Sequence, residues 1–228
     1  MHRSEKGFTL LELLIVVVII SILAIVVLFV LNPAETLRKT RDAQRFADLA
    51  TMKNAIALYI TTKTTPYIGG VEGAQNNNGC KASTTSSWID GDKVWYSLND
   101  DDLLLTDTTL DGSSLLRTEQ ATSAATNALV DGQGWIPVNL SGISGGSPIS
   151  NLPIDPTNTV SNAADISSSD KVYRYVCEEA GLTFELNVRL ESLAFTSEDN
   201  RMTKDGGNNN NLYEMGTSLN ILGASTDF

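Results

Sequence analysis

From Leu13 to Leu31 every residue is apolar except Ser21. A run of that length and uniformity fits a helix that crosses a bilayer, whose hydrocarbon layer takes about 20 residues. Soluble core helices are seldom apolar on every side. Immediately before the run stands Glu12. A lone carboxylate in hydrocarbon costs about 2.5–3.5 kcal/mol on insertion scales, so it must be paired, protonated or held at the interface. The chain has to find a place for both an unbroken apolar helix and this one charge.

Met1 to Gly7 is short and polar and carries Arg3 and Lys6. A conventional secretory signal is cut after its apolar stretch, beside small residues. No such site follows Leu31, where the chain continues Asn32-Pro33-Ala34-Glu35. If a segment is removed it is therefore the polar leader, and the apolar helix stays. The stretch Lys6-Gly7-Phe8-Thr9-Leu10-Leu11-Glu12-Leu13-Leu14-Ile15-Val16-Val17 resembles the class III signal of type IV prepilins and type II secretion pseudopilins. The resemblance implies cleavage between Gly7 and Phe8 by a membrane aspartyl peptidase and N-methylation of Phe8. Glu12 then becomes the fifth mature residue. The chemistry is coherent: a glycine lets a peptidase approach the backbone closely. Cleavage frees an amine of pKa roughly 7.7–8.0, and this cation can meet the Glu12 carboxylate of a neighbouring subunit, setting assembly register.

Charge is unevenly placed. Residues 32–63 hold six Lys/Arg against three Asp/Glu, and residues 64–228 hold eight against 22. The chain is a basic stalk followed by an acidic head. An acidic head speaks against nucleic-acid binding by the isolated subunit. Basic side chains just past the apolar run suit lipid headgroups, an acidic neighbour or plain solvent. Arg3 and Lys6 support a cytoplasmic leader, but Arg38, Lys39, Arg41 and Arg45 on the far side weaken that rule, so orientation rests on the resemblance.

Phe46, Leu49, Met52, Ile56, Tyr59 and Ile60 recur at three- and four-residue steps, while Arg41, Arg45, Asp48 and Lys53 occupy other faces. This predicts an amphipathic helix from Glu35 to about Thr62 that continues the membrane run as one rod, roughly 75–80 Å long at 1.5 Å per residue. Pro33 should kink or melt it, because proline lacks the amide donor and clashes with the preceding turn. The apolar stripe should lie against a sheet.

Residues 64–92 look like loop, and residues 136–160 like a fixed irregular loop holding four of the six prolines. Strands are expected at Lys93–Leu98, at Trp135–Leu140 as an edge, and at Tyr213–Thr217, with short helices between Asp100 and Ala128. The best pair is Lys171–Cys177 with Thr183–Leu190, joined through Glu178-Glu179-Ala180-Gly181. Phe184, Leu186, Val188 and Leu190 alternate with Glu185, Asn187 and Arg189, which predicts a sheet with one buried face. Leu152-Pro153-Ile154-Asp155-Pro156 followed by Tyr173-Arg174-Tyr175 is similar to a segment of pilin and major pseudopilin heads.

Cys80 and Cys177 either pair in an exported head, closing a long loop worth roughly 2–4 kcal/mol, or remain two buried thiols. Asp199-Asn200 through Asp205-Gly206-Gly207-Asn208-Asn209 offers hard oxygen ligands that calcium could use, or a polar surface loop; the spacing is not that of an EF-hand. No other metal or cofactor is expected. The one histidine, His2, leaves with the leader, so catalysis is not expected. Ser168-Ser169-Asp170-Lys171 fits S-x-x-K without its companion motifs, and Asn139-Leu140-Ser141 is a sequon by pattern alone.

The expected architecture is α+β, the ladle-shaped pilin fold: leader 1–7, N-terminal helix 8–63 with its membrane span at 10–31, and head 64–228. The resemblance implies a homopolymeric type IV pilus-like filament on the cell surface, built from a precursor in the inner membrane. Its partners are then prepilin peptidase, the assembly machinery and copies of itself. A secretion pseudopilin, and a single-pass membrane sensor that keeps residues 1–7, are the alternatives.

Overall fold

The computed structural model describes residues 7–70, 75–83, 88, 92–98, 126–158, 160 and 166–224. Helix α1 spans Leu10–Leu31 and helix α2 spans Pro33–Thr62. Between them Asn32 takes a left-handed conformation, φ 35°. Its side-chain oxygen accepts the Glu35 amide, and Pro33 occupies the first position of α2. Proline tolerates that position because its missing donor would be an orphan there anyway. The chain thus closes one helix and starts another at a single residue.

The sheet has four antiparallel strands in the order β1 (Trp95–Tyr96), β2 (Arg174–Glu178), β3 (Thr183–Val188) and β4 (Tyr213–Gly216). Four of the five expected strands are present among the described residues, β1 reduced to two residues. Residues Trp135–Leu140 are not a strand. Pro137 cannot donate to a ladder. The segment is held by its own contacts, Trp135 N–H to Asn127 O at 2.8 Å and Trp135 Nε1 to Pro153 O at 2.9 Å, and ends in a 3₁₀ turn at Leu140–Gly142. The short helices expected between Asp100 and Ala128 fall almost wholly outside the described residues. In the β2–β3 connection the left-handed residue is Leu182, φ 47°, not Gly181. Its side chain packs against the core, which offsets the strain of that conformation.

Strand register gives the sheet two faces. Trp95, Tyr175, Leu186 and Met215 pair across one face, and Tyr96, Arg174, Asn187 and Glu214 across the other. On the first face Leu49, Met52, Ile56 and Tyr59 of α2 meet Tyr173, Tyr175, Phe184, Leu186 and Val188, all buried. The second face is also covered, where Val94, Tyr96, Val172 and Val176 pack with Leu212, Ile221 and Leu222. The one-faced sheet expected from alternation is therefore corrected. Glu185 and Asn187, expected at the surface, are fully buried under the C-terminal segment.

Candidate functional site

The N-terminal segment stands apart from the head. Phe8 is 87 % exposed, and the large apolar side chains described in α1 are all at least 47 % exposed. The helix is apolar on every side, so an aqueous surround would be costly over its whole length. Gly7 has open space where a side chain would be. Thr9 caps α1: its hydroxyl accepts the Glu12 amide at 3.2 Å, and its amide and hydroxyl both donate to Glu12 Oε2 at 2.9 Å. In a single chain the Glu12 carboxylate is thus held by its own helix start, a reciprocal capping box. The structure does not bring Phe8 onto Glu12 within one copy.

The second constellation joins α2 to the head. Asp42 and Arg45, three residues apart, are both fully buried. Sequence reasoning placed Arg45 on a face away from the core, and the structure corrects this. Its guanidinium donates through Nε to Asp155 Oδ2 at 2.7 Å and through Nη2 to Asp155 Oδ1 at 2.9 Å. Nη1 reaches Asp42 and Glu191, each at 2.9 Å. Asp42 in turn accepts the backbone amides of Glu191 and Ser192, and Arg41 clasps Glu191 at 2.6 and 2.9 Å. Burial opposes the Arg45 charge, but its hydrogen bonds with Asp155, Glu191 and Asp42 outweigh that and raise its pKa. Burial likewise pushes Asp155 and Glu191 up. Their bonds to Arg45, and Arg41's to Glu191, reverse it, leaving Asp155 below the usual range and Glu191 at about 2.

The segments Leu152–Pro156 and Tyr173–Tyr175 converge on this helix. Asp155 binds Arg45 and Tyr173 Oη donates to Asp48 at 2.6 Å, while Tyr175 Oη donates to Ile68 O, in the segment that follows the helix, at 2.7 Å. The two segments singled out by resemblance therefore dock the head onto the stalk. Nearby, Cys80 and Cys177 are joined in a disulfide across 97 residues. A Cβ at Gly69 would overlap both sulfurs, so that position admits only glycine at this spacing.

On the outer sheet face Glu185 and Glu214 lie together. Glu185 Oε2 accepts the amides of Ile221 and Leu222, and Glu214 Oε2 accepts the amide of Asn209. Burial and then the neighbouring Glu185 raise Glu214 to about 9, and burial raises Glu185 too. Alternation alone gave no signal of this pair, because it shows which residues share a face and not what covers it.

In the 199–209 loop Asp199 is held by Arg201 at 2.7 Å and Lys204 at 2.6 Å, while Asp205 accepts the amides of Gly207 and Glu214. Among the described residues no three His, Cys, Asp or Glu side chains converge as a metal site.

A family model described as the prokaryotic N-terminal methylation motif matches residues 2–28. The chain carries the class III signal of a type IV pilin-like protein. The match covers the leader, Phe8, Glu12 and most of α1, and the α+β fold behind it agrees with the pilin arrangement. No curated protein and no solved structure matches the chain. The pilin-like signal implies processing by a prepilin peptidase and assembly into a multi-subunit filament, and its apolar helix suits a membrane-anchored precursor.

Proposed function

We propose that this chain is the structural subunit of a type IV pilus-like surface filament, cut between Gly7 and Phe8 and methylated on Phe8. The observation that carries this reading is the methylation motif at residues 2–28, continuous with a helix whose described large apolar side chains all lie exposed. Lipid satisfies such a helix before assembly, and other copies of α1 satisfy it afterwards. Transfer from one to the other gains little from apolar burial alone, so packing and polar pairs must set the geometry. Cleavage supplies the missing pair. The new amine of Phe8 can replace Thr9 as partner of a neighbour's Glu12, and a misregistered subunit would leave that carboxylate unpaired in hydrocarbon.

Beside the helix the head is large and heavily braced, with an ion-paired stalk junction and a disulfide, as suits a coat exposed to the medium. The long head with its extended loops, residues 64–228, is what favours a surface pilus over a secretion pseudopilus. The test is the mass of the mature N-terminus together with electron microscopy of the cell surface. The reading expects loss of residues 1–7, one added methyl group and long filaments containing this chain. Retention of residues 1–7 would sink it in favour of a membrane sensor, and cleavage without surface filaments would favour the pseudopilus.

A further inference from the structure

An open depression of about 530 Å³ lies where the start of α2 meets the head, lined by Arg38, Arg41, Lys171 and Arg189 with the hydroxyls of Ser169 and Thr196. In a head with 22 acids against eight bases this is a concentration of the opposite sign. Glu191 is the carboxylate at its wall, and it is already shared by Arg41, by the buried Arg45 and by Lys171 at 3.3 Å. Among the described residues Arg38 has Glu35, at 3.8 Å. Arg189 donates to the Asn211 carbonyl at 2.7 Å, and burial lowers its pKa. The depression therefore holds more positive charge than its own residues neutralise.

Its place along the chain says which anion it meets. Helix α1 is 22 residues long, enough to cross the hydrocarbon layer, and ends at Leu31. Arg38 follows seven residues later, about 10 Å further along at 1.5 Å per residue. Helical side chains lean toward the N-terminus, here toward the membrane. The headgroup layer adds roughly 5–8 Å beyond the hydrocarbon, so the Arg38 side chain reaches back to its outer edge, with Arg41 about 5 Å further out along the helix. We infer that the Arg38–Arg41–Lys171–Arg189 depression binds a phosphate-bearing anion, supplied by the headgroup of an anionic phospholipid while the precursor waits in the membrane. Guanidinium groups match phosphate oxygens bidentately, and the two hydroxyls add neutral donors. The contact would orient the head on the bilayer and would be given up on entry into the filament. It rests on the membrane-anchored reading above.

The test uses the full chain in neutral detergent and native mass spectrometry with phosphatidylglycerol, with zwitterionic phosphatidylcholine, and with inorganic phosphate. The inference expects one phosphatidylglycerol bound in preference to phosphatidylcholine. In Arg38→Gln/Arg189→Gln, which spares the ion network around Arg45, affinity should fall about thirtyfold. Unchanged melting would show the variant is folded; if it is not, Arg38→Gln alone, on an exposed side chain, should still weaken binding about fivefold. Equal binding of the two lipids, or a preference that both variants retain, would overturn the inference. Inorganic phosphate bound as well as phosphatidylglycerol would overturn the lipid source. None of these readouts depends on N-terminal cleavage or filament formation, so failure here is distinct from failure of the filament reading.

Discussion

Arg45 and Asp155, 110 residues apart, form a two-toothed ion pair at 2.7 and 2.9 Å with both side chains fully buried. One comes from the helix that carries the membrane anchor and the other from the proline-rich loop of the head. The bond thus rivets the stalk helix to the head. Buried pairs of this kind add little net stability over an apolar substitute, but breaking one side leaves a stranded charge.

Asp155→Ala should therefore destabilise the head by about 3–5 kcal/mol, and Arg45→Met/Asp155→Leu should recover part of that loss. Denaturant melts of the three proteins measure it. A double variant as unstable as the sum of its single changes would deny the coupling.

The carboxylates predict stability limits on both sides of neutral acidity. Glu191 has its pKa lowered from 4.5 to about 2, so the folded state binds fewer protons there than the unfolded state. Its stabilisation is present above pH 4.5 and is lost as pH falls toward 2. Glu214 runs the other way. With its pKa raised from 4.5 to about 9, the folded state holds a proton the unfolded state releases, so stability declines as pH rises from 4.5 to 9. The groups facing Glu214 are Glu185 and Asp205, both raised as well, first by burial. Glu214→Gln should flatten the alkaline decline and leave the acid limb unchanged. Melting temperatures from pH 3 to 9 decide this, and an alkaline slope equal to wild type would reject the pair as its source.

Cys80 and Cys177 close a loop of 97 residues. Constraining the unfolded chain to that extent is worth about 4–5 kcal/mol in the chain-entropy account. Reduction, or Cys80→Ser/Cys177→Ser, should lower stability on that scale. Gly69→Ala should weaken the same bond from outside by pressing on the sulfurs. A Gly69→Ala protein with wild-type melting and no titratable thiol would contradict the contact.

Glu12→Val should enter the membrane and lose residues 1–7 normally, yet fail to build filaments, because its own capping bonds to Thr9 are not needed for insertion. Immunoblots for processing and micrographs for filaments separate the two steps. Normal filaments from this variant would refute a register role for Glu12.

Much of the fold can be read along the chain because its signals are local. The apolar stripe from Phe46 to Ile60 and the alternation in β3 each follow from a period of residues and side chains. Strand lengths were less legible, since β1 needs β2 beside it and Trp135–Leu140 is held by side-chain and loop contacts instead of a ladder. The burial of Asp42 and Arg45 leaves no local signal for a related reason. A charged residue on a helix looks solvated until its partners arrive, and Asp155 and Glu191 lie more than a hundred residues away.

The sequence by itself determined the all-apolar helix, the lone Glu12 at its start and the stop at Asn32-Pro33. Each depends on hydrophobicity or backbone chemistry within a few residues. Only the tertiary structure decided that the sheet is covered on both faces and that Glu185 and Glu214 face each other. It also decided that Arg45 is riveted to Asp155 and that four basic side chains meet in one depression. Those are relations between distant segments. What a charge costs, and what it can hold, is set by the neighbours that folding brings to it.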